Sequence, residues 1–480
     1  MSRDGDDSGI SRREFVGDAA AAGAAFSVVS PGVLAGGTEK SPSDKLDIAG
    51  VGVGGRGGRD LAACESENIV ALCDVDAAYA GHTFRTYPKS KTYADYRRLL
   101  DEHGDRLDGI IVATPDHSHA AVSLDAMELG INVYCEKPLA HTVAEVRRMR
   151  DAAREHGVVT QMGNQGHSNN WVRRIAEYIR DGAIGRVRQV HCWSSSAAGM
   201  WPQGIGRPQE TREAPSKLDW KLWTAPVEHR GYHPIYHPNR WRGWWDFGTG
   251  ALGDMGCHII DVPYFALNLG LPQVIQATWG RYGSRGGSYE RGSGFDMEIS
   301  VNAENFAVQT SPSGPDAETA PICSTVRYDF PAKDGRPPVR LTWWDGGLQP
   351  PLPPELAGTS MRGSGSLFLG EKGALICGTH GEDFLLLPES RREEYDPPEK
   401  SLPRVKENHA QNWLNAIRGE GGKPSSNFDS AAPLAEIVQL GSVAIRTGQP
   451  IEWDAENMKP ANAPDAERYV HPDFRDGRTL

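Results

Sequence analysis

KLDIAGVGVGGRGGRDLAACESENIVALCD, residues 45–74, decides the fold. It reads as strand, glycine turn, helix and second strand, with an acid at its end. Gly52, Gly54 and Gly57 supply a G-x-G-x-x-G spacing: one turns the chain sharply, one lets backbone approach a pyrophosphate, and one permits close packing of helix on strand. Gly55 and Gly58 add freedom. The helix, roughly Arg56 to Ser66, would aim unpaired amides at a diphosphate, with Arg56 as a nearby cation. Asp74 closes the apolar run Ile69 to Cys73, about 20 residues after the glycines. A carboxylate there accepts hydrogen bonds from ribose hydroxyls and repels a 2′-phosphate, so NAD is favoured over NADP, and Asp76 strengthens the preference. A bare glycine pattern usually marks a flexible turn; the flanking strand, helix and acid make this one a dinucleotide site.

The 480 residues suggest two or three domains, each able to bury a core. A net charge of -12 argues against nucleic-acid and anionic-membrane partners, and suits a neutral or cationic small substrate. Seven cysteines are scattered without a C-x-x-C pair, so neither a disulfide framework nor a metal knuckle is indicated, and most read as buried thiols.

Before the glycine turn, Ser11-Arg12-Arg13-Glu14-Phe15-Val16 precedes a mildly apolar, alanine-rich run with a cleavage pattern at Val33-Leu34-Ala35, the form of a twin-arginine export signal. Asp4, Asp6 and Asp7 depart from the usual basic start. The expectation is export through the twin-arginine machinery to a periplasmic or other extracytoplasmic site, with a membrane tether if the signal stays uncleaved. Residues 1–43 are thus signal and linker.

Residues 44–165 alternate short apolar strands with helical stretches, the pattern of a doubly wound parallel sheet. Such sheets bind ligands at their carboxyl edge. Strand 109–113 delivers Thr114, Pro115 and Asp116 there, and His119 in the helix that follows is expected to face the cofactor. Strand 131–135 delivers Glu136-Lys137-Pro138; Lys137 is either a held functional amine or a surface lysine paired with Glu136. Thr142 and Glu145 form a capping box for the next helix. Gly163-Asn164-Gln165-Gly166-His167 leaves the last strand toward the same edge, with Asn164 assigned to the cofactor and Gln165 and His167 to a substrate.

Residues 166–455 change character. After a helix at about 169–181, strand-like runs from 187, and at 273–282, 295–302, 322–330, 338–344, 366–377 and 383–387, indicate a large, mainly antiparallel sheet. Leu218 to Phe247 is dense in tryptophan. Indole faces stack on sugar C–H faces, and Trp244 and Trp245 are the candidates, but packing or a subunit interface uses aromatics equally well. Asp254 and His258 lie four apart; on a helix they share a face, where the carboxylate would orient the imidazole and raise its basicity. A two-ligand metal site or a plain ion pair has the same spacing, though no further ligands cluster to support a metal. Two amphipathic helices, 406–418 and 429–447, precede an extended tail at 456–480 that could reach a partner subunit.

The glycine turn, the acid after the second strand, A-T-P-D-H-S-H at 113–119, E-K-P at 136–138 and D-x-x-x-H at 254–258 together resemble the Gfo/Idh/MocA oxidoreductases (glucose-fructose oxidoreductase, inositol dehydrogenase and relatives). The resemblance implies an α/β protein, a Rossmann domain followed by an α+β domain with an open antiparallel sheet. It implies His258 as proton acceptor, Lys137 as holder of the substrate oxygen or proton relay, and Asp254 as substrate-binding and orienting group. The expectation is an NAD-dependent oxidoreductase taking hydride from a secondary hydroxyl of a sugar, glycoside or polyol, working as a homo-oligomer, with no resident metal. A glycoside hydrolase or lyase using transient oxidation, and a nucleotide-binding protein without chemistry, are the alternatives.

Overall fold

The computed structural model describes residues 44–196, 200–280, 317–353, 356–358 and 361–471. The expected export signal and strand 295–302 lie outside them. By contacts the chain divides into Met1–Lys45, of which only the last two residues are described, and Leu46–Leu480, which holds everything below.

Six short strands form the first sheet: β1 (Asp47–Val51), β2 (Asn68–Cys73), β3 (Lys91–Tyr93), β4 (Gly109–Val112), β5 (Asn132–Cys135) and β6 (Thr160–Met162). Their order is β3-β2-β1-β4-β5-β6, all parallel. β1 and β4 are almost wholly buried, as strands covered by helices on both faces must be. The reversal of order between β1 and β4 opens a crevice at the carboxyl edge.

Nine strands form the second sheet: β7 (Val187–Ser194), β8 (Val274–Gly280), β9 (Cys323–Phe330), β10 (Val339–Trp344), β11 (Ser364–Gly370), β12 (Gly373–Cys377), β13 (Leu385–Leu387), β14 (Ile451–Asp454) and β15 (Lys459–Pro460). The order is β13-β12-β11-β7-β10-β9-β8-β14-β15, antiparallel except for the β7–β10 pair. In β9 the side chains alternate between buried and half-buried, as in a sheet with one face on a core.

Two features cross the sequential division at residue 165. Helix His409–Ile417 returns to the first sheet, where Ala410, Trp413 and Leu414 pack with Ile48, Leu72 and Tyr134. Helix Phe428–Thr447 lies between the sheets, its Glu436 carboxylate held bidentately by Arg147 of helix Val143–Glu155 at 2.6 and 2.8 Å. The segment expected to be an extended arm instead folds back on its own chain over residues 456–471. β15 pairs with β14, and Val470 is buried with its carbonyl accepting from Ala144 N–H. Buried apolar groups at Ala463, Ala466, Tyr469 and Val470 supply the reason, a small hydrophobic face in a stretch otherwise polar.

Candidate active site

A cleft of about 340 Å³ opens at the carboxyl edge of the first sheet. The glycine turn forms its floor. Gly52 has φ +79° and its missing Cβ would sit 2.7 Å from the Ala113 carbonyl, so no other residue fits there. A Cβ on Gly57 would lie 2.4 Å from Gly52 O, which is the close helix-on-strand contact expected of that position. Gly52, Gly55 and Arg56 line the cleft, whereas Gly54 works from behind it, donating its N–H to Asp74 Oδ2 at 2.8 Å.

Asp74 ends β2 at the cleft wall, its Oδ1 accepting from Asp76 N–H at 2.9 Å. Burial pushes its carboxyl up to about 6 despite these amides. Amides of Gly54, Asp76 and Val53 engage the carboxylate, which has four lone-pair sites and so retains acceptor capacity for a ribose hydroxyl. Arg56 lines the cleft but is not a free cation for a diphosphate: its guanidinium meets Asp60 at 3.0 Å and Glu136 at 3.3 Å. The glycine cradle, Asp74, Thr114, Pro115 and Glu136 on one wall are a donor and acceptor set that fits a dinucleotide.

At the other end, Lys137 reaches across to helix Gly250–Ile259. Its Nζ donates to Asp254 O and to Asp254 Oδ1, both at 2.7 Å. Arg242 Nε donates to the same Oδ1 at 3.1 Å. Burial opposes ionisation of Asp254, but the two cations outweigh it and hold the acid at about 2. His258 lines the cleft one helical turn on. Its Nδ1 is buried without a hydrogen-bond partner, and its ring meets that of His380 edge-on at 5.1 Å. Gln165 completes this end, its amide donating to Glu136 Oε1 at 2.7 Å and Tyr134 OH at 3.0 Å.

The cleft therefore unites Gly52, Gly55, Arg56, Asp74, Thr114, Pro115, Glu136, Lys137, Gln165, Asp254 and His258. It leaves out seven of the residues assigned to it: Gly54 and Gly57, which act from behind the turn, and five whose side chains lie elsewhere. His119 turns back under β4, its Nε2 2.8 Å from Thr114 O, and burial pushes it down to about 4; Ser118 lines the cleft instead. Asn164 is buried, accepting from Ser426 Oγ at 2.6 Å. His167 is buried with Asp261, Nδ1 to Oδ1 2.8 Å. Trp244 is fully buried in an aromatic cluster and Trp245 lies under Arg446, so both pack, while Trp223 and Trp241 face the cleft. The expected gain in His258 basicity is also reversed. Burial, then the Lys137 charge, then His380 push its pKa well below the ordinary value, and Asp254 only partly offsets them. Arg242 was missed because a cation among tryptophans reads as a solvated face. Asp116 reaches this edge as expected but is a buried anchor there: it accepts from Thr249 Oγ1 at 2.6 Å, and burial raises it to about 7. Among the described residues there is no cluster of three or more His, Cys, Asp or Glu placed to hold a metal.

This fold and cleft define a two-part α/β protein in which a Rossmann nucleotide domain shares its cleft with residues of a second, antiparallel-sheet part. Residues 46–164 match the family model described as "Oxidoreductase family, NAD-binding Rossmann fold", and residues 169–271 match its "C-terminal alpha/beta domain". Both segments therefore match models of the Gfo/Idh/MocA oxidoreductase family, the first of them its NAD-binding Rossmann domain.

Levoglucosan dehydrogenase of Pseudarthrobacter phenanthrenivorans is 25% identical over 209 residues, 43% of this chain and 45% of that one. Inositol 2-dehydrogenase of Salmonella typhimurium is 30% identical over 151 residues, 31% and 44% of the two chains. The chain thus spans under half the length of these relatives. Among solved structures, the WlbA dehydrogenase of Bordetella pertussis in complex with NADH and UDP-GlcNAcA aligns with a TM-score of 0.55 over 85% of this chain and 98% of that one, at 16% identity, a likeness of fold.

Proposed function

We propose that the protein is an NAD-dependent oxidoreductase that oxidises a secondary hydroxyl of a sugar, glycoside or polyol. One observation carries this reading. Lys137 from the nucleotide domain and His258 from the second part line one cleft with Asp74 and the glycine turn, and Lys137 is fixed there by Asp254 at 2.7 Å. Relatives named as levoglucosan and inositol dehydrogenases support the substrate class.

The chain's own groups divide the work as follows. Two of the three Lys137 N–H groups go to Asp254, leaving one to hold the substrate oxygen and stabilise the charge that develops on it. Asp254 stays ionised and keeps the amine in place, with Arg242 on the same oxygen. His258, neutral at physiological pH, takes the hydroxyl proton on Nε2, since Nδ1 is fully buried. The chemistry supplied by a bound nicotinamide is acceptance of the hydrogen on the adjacent carbon with its electron pair. Gln165, Trp223 and Trp241 then contact the sugar.

Export by the twin-arginine route is part of the same proposal and rests on Arg12, Arg13 and the mild apolar run after them. A folded protein can carry tightly held nucleotide across a membrane, so turnover that regenerates the cofactor in place is expected. A homo-oligomer is proposed with it. Native mass spectrometry of the purified protein tests the cofactor, with one NAD per chain expected. A glycoside panel scored for keto-sugar tests the reaction. Bound NAD with hydrolysed but never oxidised sugar would replace oxidation by a hydrolase or lyase outcome.

A further inference from the structure

Residues 217–242 contribute Leu222, Trp223, His237, Asn239 and Arg242 to the cleft that Gly52, Asp74 and Lys137 also line. At their start they are tied by main chain to the loop after β2. Asp219 N–H donates to Val75 O at 2.8 Å, and Ala77 N–H donates to Lys217 O at 3.0 Å. Near their end they are tied to the same loop by side chains only. His237 Nε2 lies 2.8 Å from Asp76 Oδ2, and the Tyr79 hydroxyl donates to Asn239 Oδ1 at 3.3 Å. The Tyr79 ring meets His237 edge-on at 5.9 Å.

The middle of the segment is braced from within. Trp223 stacks on Trp220 at 4.5 Å, and its carbonyl lies 2.9 Å from His117 Nε2, so the indole that faces the cleft has a fixed backing. Beyond Asn239 the chain runs directly to Arg242 and its bond to Asp254. All the loop residues that receive this segment lie within five positions of Asp74, the acid assigned to the ribose. A Rossmann edge by itself covers a dinucleotide on one side. Here residues 217–242 line the cleft as well, joined to the loop after β2 by main-chain bonds at one end and by two side-chain bonds near the other, with His117 and Asp254 holding Trp223 and Arg242 in between and beyond.

We infer that residues 217–242 are the second wall of the dinucleotide site, and that the Asp76–His237 and Tyr79–Asn239 contacts latch it and set how slowly the nucleotide leaves. The inference rests on the NAD reading above but concerns retention rather than chemistry. Parting the segment from the loop after β2 at this end requires breaking both contacts. Removing one bond of this kind is expected to speed release by about tenfold, the scale of a single net hydrogen bond. Association, which is limited by encounter, should change less.

The test is the dissociation rate of NADH, followed by loss of its fluorescence on displacement with excess NAD, in wild type and in Asp76→Asn, His237→Ala and Tyr79→Phe. Circular dichroism establishes that each variant is folded. Tyr79→Phe removes a single hydroxyl, so it carries the test if the others fail to fold. Release about tenfold faster in the folded variants is the expected result. Unchanged release in the folded variants of a protein whose wild type binds NADH overturns the latch and leaves the oxidoreductase reading standing. A wild type that binds no nicotinamide nucleotide overturns both.

Discussion

His258 is where charge, burial and chemistry meet in one residue. Its depressed pKa has burial as the first cause and the Lys137 ammonium as the second. Removing that cation by Lys137→Met should therefore raise the imidazole's titration midpoint toward 6.5, and Asp254→Asn should lower it further. Proton NMR of the ring distinguishes these, and a midpoint unmoved by Lys137→Met would show that the amine's charge does not reach the imidazole. With the neutral ring as the proposed base, the same sign places the acid limb of kcat/KM below pH 6.5 in wild type. His258→Ala is expected to lower kcat by about 10²–10⁴, the contribution of a positioned general base. At this scale the sequence was readable wherever a local pattern dictates a position: Gly52 and Gly57 in the turn, and Asp74, Lys137, Asp254 and His258 at the cleft. It was unreadable wherever the role depends on which way a side chain turns. His119, Asn164, His167, Trp244 and Trp245 have the chemistry of a site but face the core, a matter of packing that a single chain's spelling does not record.

Helix termini and returning helices bear the next level of the account. Thr142 and Glu145 make the reciprocal capping box their spacing predicted, with Thr142 N–H and Oγ1 both donating to Glu145 Oε2 at 2.8 and 2.9 Å. Thr142→Ala is expected to cost about 1 kcal/mol, read from the denaturant midpoint. Helix His409–Ile417 is fixed at its first residue. His409 Nε2 lies 2.7 Å from Met162 O, and Nδ1 lies 2.6 Å from Ser168 Oγ. Burial pushes His409 down to about 3, so the folded state holds it neutral. Its pKa is lower folded than unfolded, so the unfolded chain takes up its proton first as pH falls below 6.5. Wild type then loses stability relative to His409→Asn, by at most about 1.4 kcal/mol per pH unit until pH nears 3. A stability difference independent of pH over that window would mean the ring protonates in the fold. The amphipathic period announced this helix, but nothing in it told that its partner would be the first sheet, more than two hundred residues upstream.

Across the molecule, the strand and helix order was legible because apolar runs and breakers mark elements locally, while the closure of one half on the other was not. Arg147 and Glu436, 289 positions apart, show why: each reads as an ordinary helix-surface charge, yet Glu436 is buried and also accepts from Trp453 Nε1 at 3.0 Å. Arg147→Met should destabilise by about 3 kcal/mol by stranding a buried carboxylate, and adding Glu436→Leu should recover most of that in chemical denaturation. If the double variant is no better than the single, the pair is not what joins the two helices. The central claim, that the two halves close on one reaction, is tested most directly in a single turnover. NAD-loaded protein is mixed with an excess of a carbohydrate found to be a substrate, and reduced-nicotinamide absorbance is followed in wild type, Lys137→Ala and His258→Ala. The account predicts one equivalent of reduced cofactor in wild type, with keto-sugar formed alongside it, and a rate lower by at least about a hundredfold in either variant while NAD stays bound. Reduction at wild-type rate in both variants would contradict it.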